Sequence, residues 1–253
     1  MNWRFVSAST VGTSHEYADL PCQDSCWAQV DLLDNQQPLL SMFVSDGAGS
    51  AIKGGEGAEL AIEVAASFVA NKVNQGEFGL TDALATDIVL AIRERIFIAA
   101  ESENLKARDF ACTFLGILSA TNGTIVFQIG DGGVVVDIGD GLELAVIPMS
   151  GEYANMTRFV TDEDAVTILQ TRLYPECALR VAAFTDGIQR LALNLANNTP
   201  HEPFFAPFFN GMLKATSEQE DLLQPLLVKF LSSQPVNERT DDDKTLALAI
   251  WMP

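Results

Sequence analysis

The chain has 253 residues, of which 48% are hydrophobic and 19% are charged, a composition typical of a folded globular protein with a substantial core. Its formal net charge of −19 at pH 7 argues against nucleic acid and anionic membrane surfaces as partners. No stretch approaches the ~20 apolar residues of a membrane span, and no signal peptide is apparent. Four scattered cysteines do not suggest a disulfide framework, so we expect a cytoplasmic protein.

The first part of the chain combines strand-like runs with two helices. Alternating and apolar runs predict strands over residues 3–10, 25–32 and 39–45. A stripe of apolar residues at helical spacing predicts a helix over 56–73, and Thr81 is the expected N-cap of a second helix. Both helices have the pattern of elements that cover a sheet.

The middle of the chain is rich in strands. Runs over 111–120 and 124–130 flank Asn122-Gly123, which is the strongest short signal for a hairpin. Two shorter strands are predicted over 134–138 and 142–147. The next segment, 150–174, is more polar, and we expect it to leave the sheet.

The last part closes the predicted fold. A strand over 179–185 precedes a loop-like stretch, 191–211, whose phenylalanines are expected to pack inside the protein. A helix around 218–232 then leads to a closing strand over 245–251. Strands mixed with paired helices, without a βαβ rhythm, predict an α+β protein with antiparallel sheets, which we interpret as one domain over 1–253.

Carboxylates stand at the ends of several predicted strands. Asp46, Asp131 and Asp186 each follow an apolar run and precede a glycine, and the acidic cluster 241–243 precedes the last strand. Asp-Gly is also a common hairpin turn, and Asp140-Gly141 is interpreted as such a turn. Each of the other three Asp-Gly pairs, taken alone, would also favour a turn. Together they favour a site for hard divalent cations, which prefer carboxylate oxygens.

Six short motifs follow one another along nearly the whole chain: Gln23-Asp24, Asp46-Gly47-Ala48-Gly49-Ser50, Ala111-Cys112-Thr113, Gly130-Asp131-Gly132, Thr185-Asp186-Gly187-Ile188 and Asp242-Asp243-Lys244-Thr245. Their order resembles that of the metal-dependent type-2C protein serine/threonine phosphatases in their compact bacterial form. The resemblance implies a four-layer α-β-β-α sandwich, in which helix pairs cover two mainly antiparallel sheets. It also implies two or three bound Mg²⁺ or Mn²⁺ ions.

The resemblance assigns ligand roles to individual residues of this chain. Asp46 would bridge two ions, and the carbonyl of Gly47 would bind one of them. Asp186 and Asp242 would bind the other ion.

Two further aspartates complete the implied site. Asp24 would hold metal-bound water, and Asp131 would help to form a third, weaker ion site. Two hard cations acidify a bridging water and clamp phosphoryl oxygens for in-line attack, so no side-chain nucleophile is needed. The chain has only two histidines and no convincing Ser-His-Asp arrangement.

The chain also departs from the family pattern. Ala48 occupies the position where the family often has a histidine, and His15 stands in place of an arginine that grips the substrate phosphate. We therefore expect His15 to contact phosphate, donate a proton, or do both, and the alternative is an exposed loop histidine. Asp243 replaces the usual asparagine, where it could strengthen metal binding or hydrogen-bond a loop.

The implied activity is hydrolysis of phosphoserine and phosphothreonine on proteins. Phosphorylated proteins would be the partners, and a cognate serine/threonine kinase is a further candidate; the oligomeric state is not predicted. A catalytically silent relative that binds phosphoproteins is one alternative, motivated by the missing histidine and arginine. A hydrolase of small phosphate esters is another. Segment 150–174 lies where the family inserts a mobile flap.

Overall fold

Two five-stranded antiparallel sheets form the centre of the molecule. The computed structural model describes residues 2–148 and 157–252. The strands are β1 (Asn2–Thr10), β2 (Asp24–Leu32), β3 (Pro38–Asp46), β4 (Phe114–Ala120), β5 (Gly123–Ile129), β6 (Gly133–Asp137), β7 (Leu142–Leu144), β8 (Gln170–Tyr174), β9 (Arg180–Phe184), β10 (Leu193–Asn194), β11 (Thr199–Pro200) and β12 (Lys244–Met252). The first sheet has the order β1-β12-β9-β6-β7 and the second has β2-β3-β4-β5-β8, while β10 and β11 form a small separate ribbon.

Helices cover the outer face of each sheet. The described helices are α1 (Thr13–Tyr17), α2 (Gly54–Asn74), α3 (Asp82–Ser102), α4 (Ala165–Ile168), α5 (Gln189–Ala192), α6 (Glu202–Lys214), α7 (Glu220–Leu231) and α8 (Gln234–Asn237), of which the pairs α2 and α3, and α6 and α7, cover the sheets. Short 3-10 turns occur at Ala107–Phe110, Asp186–Ile188 and Ser217–Gln219. No helix in these two described ranges is long and apolar enough to cross a membrane.

The hydrophobic core has three parts, one for each junction between layers. One lies between the second sheet and the pair α2 and α3, and another lies between the two sheets. The third lies between the first sheet and the pair α6 and α7. The predicted α+β class and four-layer α-β-β-α sandwich are therefore confirmed.

Local signals explain several element boundaries. The Thr81 hydroxyl accepts a hydrogen bond from the Leu84 backbone N–H at 3.1 Å, so Thr81 is the N-cap of α3 as predicted. Asp140 lies exposed in the turn between β6 and β7, which pair as the predicted hairpin. Every residue of β4 and β5 is buried, because these strands have one face against helices and the other against the first sheet.

The prediction of a loop over 191–211 is wrong for residues 202–211, because α6 begins at Glu202. Pro203 lies in its first turn, where a missing backbone N–H costs little. Pro207 lies inside the helix, where proline normally disfavours helical structure. Phe205 and Phe209 on the same helix are buried against the first sheet. Burial of these rings outweighs the local effect of proline, and the expectation that the phenylalanines pack internally is confirmed.

The prediction that 150–174 leaves the sheet is wrong for its last five residues, which form β8. This strand pairs with the edge of β5, and its Tyr174 is buried while the hydroxyl donates to Glu143 at 2.7 Å. Pairing satisfies backbone groups that β5 would otherwise expose. Residues 150–156 of the predicted flap lie outside the described residues.

Candidate metal centre

The acidic site begins where the two sheets meet at one end. Asp24 opens β2 and Asp46 closes β3, and the two residues are directly paired in the strand register. One carboxylate oxygen of Asp24, Oδ2, accepts hydrogen bonds at 2.8 Å from the hydroxyls of Thr185 and Thr245, which belong to the other sheet's strand ends. Asp24 therefore connects the two sheets next to Asp46.

Three of the predicted carboxylates converge. Asp46, Asp131 and Asp186 each offer an oxygen atom, and these three oxygens lie within 4.8 Å of one another. Asp131 follows β5 and Asp186 follows β9, so the cluster draws on the ends of strands from both sheets. Asp242, just before β12, lines the same cavity.

The cavity has a volume of about 470 Å³ and a mainly polar wall. Its lining consists of His15, Asp46, Gly47, Ala48, Gly49, Ser50, Thr113, Asp131, Thr157, Phe159, Asp186, Asp242 and Asp243. Within the described part of the chain, this wall has no lysine or arginine, and His15 is its one side chain able to carry a positive charge.

Burial and mutual repulsion disfavour the ionised forms of Asp46 and Asp186 when no cation is bound. Burial first, and then the nearby carboxylates, raise the pKa of Asp46 well above its ordinary value. The same causes raise the pKa of Asp186 to about 6. For Asp24, burial raises the pKa to about 8 against the opposing effect of its two hydroxyl donors.

These features fit divalent cations. The Oδ1 atom of Asp186 is buried and has no hydrogen-bond partner among the described residues, although buried carboxylate oxygens are normally satisfied. Several closely spaced carboxylates repel one another unless a cation lies between them. Oxygen atoms are the ligands that Mg²⁺ and Mn²⁺ prefer.

Two glycines allow the backbone to bring ligands together. A Cβ atom on Gly47 would lie 2.3 Å from the carbonyl carbon of Gly54, at the start of α2. A Cβ atom on Gly187 would lie 1.8 Å from the carbonyl oxygen of Asp243. Larger residues would push apart the segments that carry Asp46, Asp186 and the 242–243 pair.

His15 lies on α1, inside the loop that sequence reasoning left without structure. Its Nδ1 donates to Oδ2 of Asp243 at 2.9 Å, and only 16% of its side chain is exposed. The alternative of an exposed loop histidine is therefore wrong. Asp243 also accepts from the backbone N–H groups of Gly12 and Gln23, both at 2.6 Å, so this aspartate hydrogen-bonds the loop, as one of the two expectations for it stated.

Several threonines support the aspartates and were not predicted to do so. Besides the two that bind Asp24, Thr113 accepts from the Asp46 backbone N–H at 3.0 Å, and Thr157 donates to Asp131 at 2.7 Å. Thr113 belongs to one of the recognised motifs, but nothing in the sequence identifies its partner. Thr157 had no signal in the sequence.

Comparison with known proteins identifies relatives of this sequence and structures with a similar fold. A family model described as "Protein phosphatase 2C" matches residues 11–232. Serine/threonine-protein phosphatase 3 of Escherichia coli (strain K12) is 64% identical over 251 residues, which cover 99% of each chain. The structure is similar to the catalytic domain of the serine threonine protein phosphatase PstP in complex with two manganese ions, with a TM-score of 0.60, 18% identity, and coverage of 98% of this chain and 97% of that one. It is also similar to RsbX in complex with magnesium, with a TM-score of 0.55, 13% identity, and coverage of 98% and 94%.

Proposed function

This chain belongs to the protein phosphatase 2C family, and we propose that it is a metal-dependent phosphatase that hydrolyses phosphoserine and phosphothreonine on proteins. The observation that carries the proposal is the convergence of the Asp46, Asp131 and Asp186 oxygens within 4.8 Å in an open cavity. The 64% identity with a named serine/threonine-protein phosphatase, over almost the whole chain, supports the choice of substrate class.

Mn²⁺ or Mg²⁺ would be held by the aspartates that line this cavity. Asp46, Asp186 and Asp242 are the proposed principal ligands with the carbonyl of Gly47, and Asp131 is the proposed ligand for a third ion. Bound cations of this kind supply an acidified water and neutralise charge on the phosphoryl oxygens. The raised pKa values of Asp46 and Asp186 support this assignment, because carboxylates that repel one another gain most from a cation.

Asp24 has a supporting role in this proposal. Its Oδ2 is engaged by Thr185 and Thr245, so the carboxylate is held in one orientation and its other oxygen is left to hold water beside Asp46. Because the two threonines come from the opposite sheet, the same bonds also fix the distance between the strand ends that carry the ligands.

His15 is the proposed proton donor to the leaving alkoxide. Its Nδ1 is used by Asp243, which leaves Nε2 as the nitrogen available to a substrate in the cavity that His15 lines. The serine or threonine oxygen would take this proton as its bond to phosphorus breaks. A hydrogen-bonded carboxylate that fixes the ring and its tautomer is the usual requirement for a catalytic histidine.

Described residues within the predicted flap, 150–174, support a role for this segment beside the site. Thr157 bonds to Asp131, and Phe159 lines the cavity. We propose that residues 1–253 form one domain and that the flap influences the choice of phosphoprotein substrate. A cognate serine/threonine kinase is proposed as a further partner.

Hydrolysis of a phosphothreonine peptide tests the proposal. We expect activity with Mn²⁺, none with EDTA, and a loss of at least about a hundredfold in Asp46→Asn. Asp140→Asn is the matched control, because Asp140 precedes a glycine in an exposed hairpin and should leave activity unchanged. Mn²⁺ binding without turnover would instead indicate a silent relative. A strong preference for a small aryl phosphate would indicate a hydrolase of small esters.

A further inference from the structure

A second, smaller pocket adjoins the metal centre. It has a volume of about 220 Å³ and shares Asp186 and Asp242 with the main cavity. Arg190 and Arg239 line it, together with Asp241. The same pair of carboxylates thus lines both pockets.

Both arginines are carried by segments that also carry proposed ligands. Arg190 lies on α5, which follows directly from the 3-10 turn Asp186–Ile188. Arg239 lies three residues before Asp242, and its backbone N–H donates to the carbonyl of Val236 at 2.8 Å. Folding of the metal centre therefore also places the two guanidinium groups beside it.

The charge on these arginines is not used elsewhere in the described ranges. Arg4, Arg158, Arg172 and Arg180 each form an ion pair with a carboxylate. Arg190 and Arg239 form no such pair with any described residue, although the chain has 34 acidic side chains against 15 basic ones.

The balance of charge in the pocket depends on the cations. Without cations, the pocket wall carries three aspartates and two arginines. Divalent cations would engage Asp186 and Asp242, which leaves two positive groups against the single carboxylate of Asp241. A loaded enzyme would therefore present a pocket of positive charge next to the reaction site, whereas the main cavity has no lysine or arginine in its described wall.

From this arrangement we infer that the pocket binds a second anionic group of the phosphoprotein substrate, which rests on the proposed function above. The group is an oxyanion, either a phosphate or a carboxylate, carried a few residues from the phosphoserine or phosphothreonine that is hydrolysed. The planar guanidinium group matches both oxyanions through paired N–H donors. The pocket thus selects substrates that are acidic or multiply phosphorylated around the reacting residue.

Three phosphothreonine peptides of equal length test this inference: one with neutral flanking residues, one with flanking glutamates and one with a second phosphothreonine. The double variant Arg190→Gln/Arg239→Gln is compared with Lys214→Gln/Lys229→Gln, which removes the same charge from exposed lysines on α6 and α7. In the unmodified protein we expect kcat/KM to be at least about tenfold higher for an anionic peptide. The arginine variant should lose this preference and the lysine variant should keep it, while the neutral peptide is hydrolysed within about twofold by all three.

Equal kcat/KM values for the three peptides would overturn the inference, as would a preference that survives in the arginine variant or disappears in both variants. The glutamate and phosphate arms distinguish the two oxyanions. Hydrolysis of the neutral peptide reports on the proposed function separately. If no peptide is hydrolysed, fluorescence anisotropy with non-hydrolysable phosphonate versions and Mn²⁺ measures the same preference as binding, with the same outcomes for and against.

Discussion

Asp243 organises the loop on one side of the metal centre by accepting three hydrogen bonds. Its carboxylate is 3% exposed and accepts from two backbone N–H groups and from Nδ1 of His15. A buried carboxylate with several donors holds each of them tightly, because the interior offers no water in exchange. The orientation of His15 is therefore set by a residue 228 positions away in the chain.

The role of His15 predicts an effect that depends on the leaving group. In His15→Gln, we expect kcat/KM to fall about a hundredfold for a phosphothreonine peptide, because an alkoxide needs a proton to leave. An aryl phosphate has a much better leaving group, so its hydrolysis should fall less than about threefold. Both substrates should be assayed at saturating Mn²⁺.

His201→Gln is the control, since His201 precedes α6 and lies outside the main cavity. Equal losses on the two substrates in His15→Gln would mean that His15 binds phosphate without donating a proton. No loss on either would remove it from the mechanism.

At the scale of elements, the site is an assembly of strand ends held at close backbone approach. Gly187 shows this most directly, because a Cβ atom there would lie 1.8 Å from the Asp243 carbonyl oxygen. The turn after β9 and the segment before β12 can meet only if one of them lacks a side chain at this point. Their contact brings Asp186 and Asp242 to the same cavity.

Gly187→Ala should therefore weaken Mn²⁺ binding at least about tenfold, because the two segments must separate to admit a methyl group. Isothermal titration calorimetry measures this directly. Gly211→Ala is a matched control on α6, where a Cβ atom would meet nothing within 4 Å. It should leave Mn²⁺ binding unchanged and raise the free energy of unfolding by about 0.5–1 kcal/mol. Equal Mn²⁺ affinity in the two variants would contradict this reading of the contact.

The sequence predicts most elements because their signals are local. Alternation identifies β1 and β2, helical spacing identifies α2 and α3, and Asp-Gly after an apolar run identifies the strand ends that bear Asp46 and Asp186. The prediction fails at α6, where two prolines suggest a loop and the burial of phenylalanine decides for a helix. It also fails at β8, whose pairing with β5 depends on an edge that the sequence does not reveal.

In the candidate site, too, local features can be predicted from the sequence and distant contacts cannot. The acidic positions are recognisable because each belongs to a short motif, but their partners lie far away in the chain. Thr185 and Thr245 reach Asp24 across 161 and 221 positions, and Thr157 reaches Asp131 across 26. Contacts of this kind follow from the stacking of two sheets, which no local pattern specifies.

At the scale of the whole molecule, the acidic cluster couples folding to pH and to metal. In the metal-free protein the pKa values of Asp24 and Asp186 are about 8 and about 6, above the ~3.9 of an aspartate in an unfolded chain. The folded state therefore binds these protons more tightly than the unfolded state. The stability they contribute is fully present below about pH 4 and is lost as the pH rises through 6 to 8.

With EDTA, Tm should consequently fall as the pH rises from 5 to 8, and the fall should be smaller in Asp24→Asn, whose amide oxygen can still accept from both threonines. With Mn²⁺ the fall of Tm with pH should become smaller or reverse. Cations bind the deprotonated carboxylates, so the stabilisation of the folded protein by Mn²⁺ grows as the pH rises. Differential scanning calorimetry at several pH values measures both trends. A metal-free Tm that rises steadily towards pH 8, with the same slope in Asp24→Asn, would contradict this account.

The aspartates at these strand ends are proposed to hold the cations on which hydrolysis depends. The most direct test is a calorimetric titration of Mn²⁺ at pH 8 into the unmodified protein, Asp46→Asn and the hairpin control Asp140→Asn. We predict at least two ions bound to the unmodified protein and to the control, and affinity weakened at least about a hundredfold in Asp46→Asn. Superimposable isotherms for all three proteins would show that Asp46 is a turn residue and that the metal centre lies elsewhere.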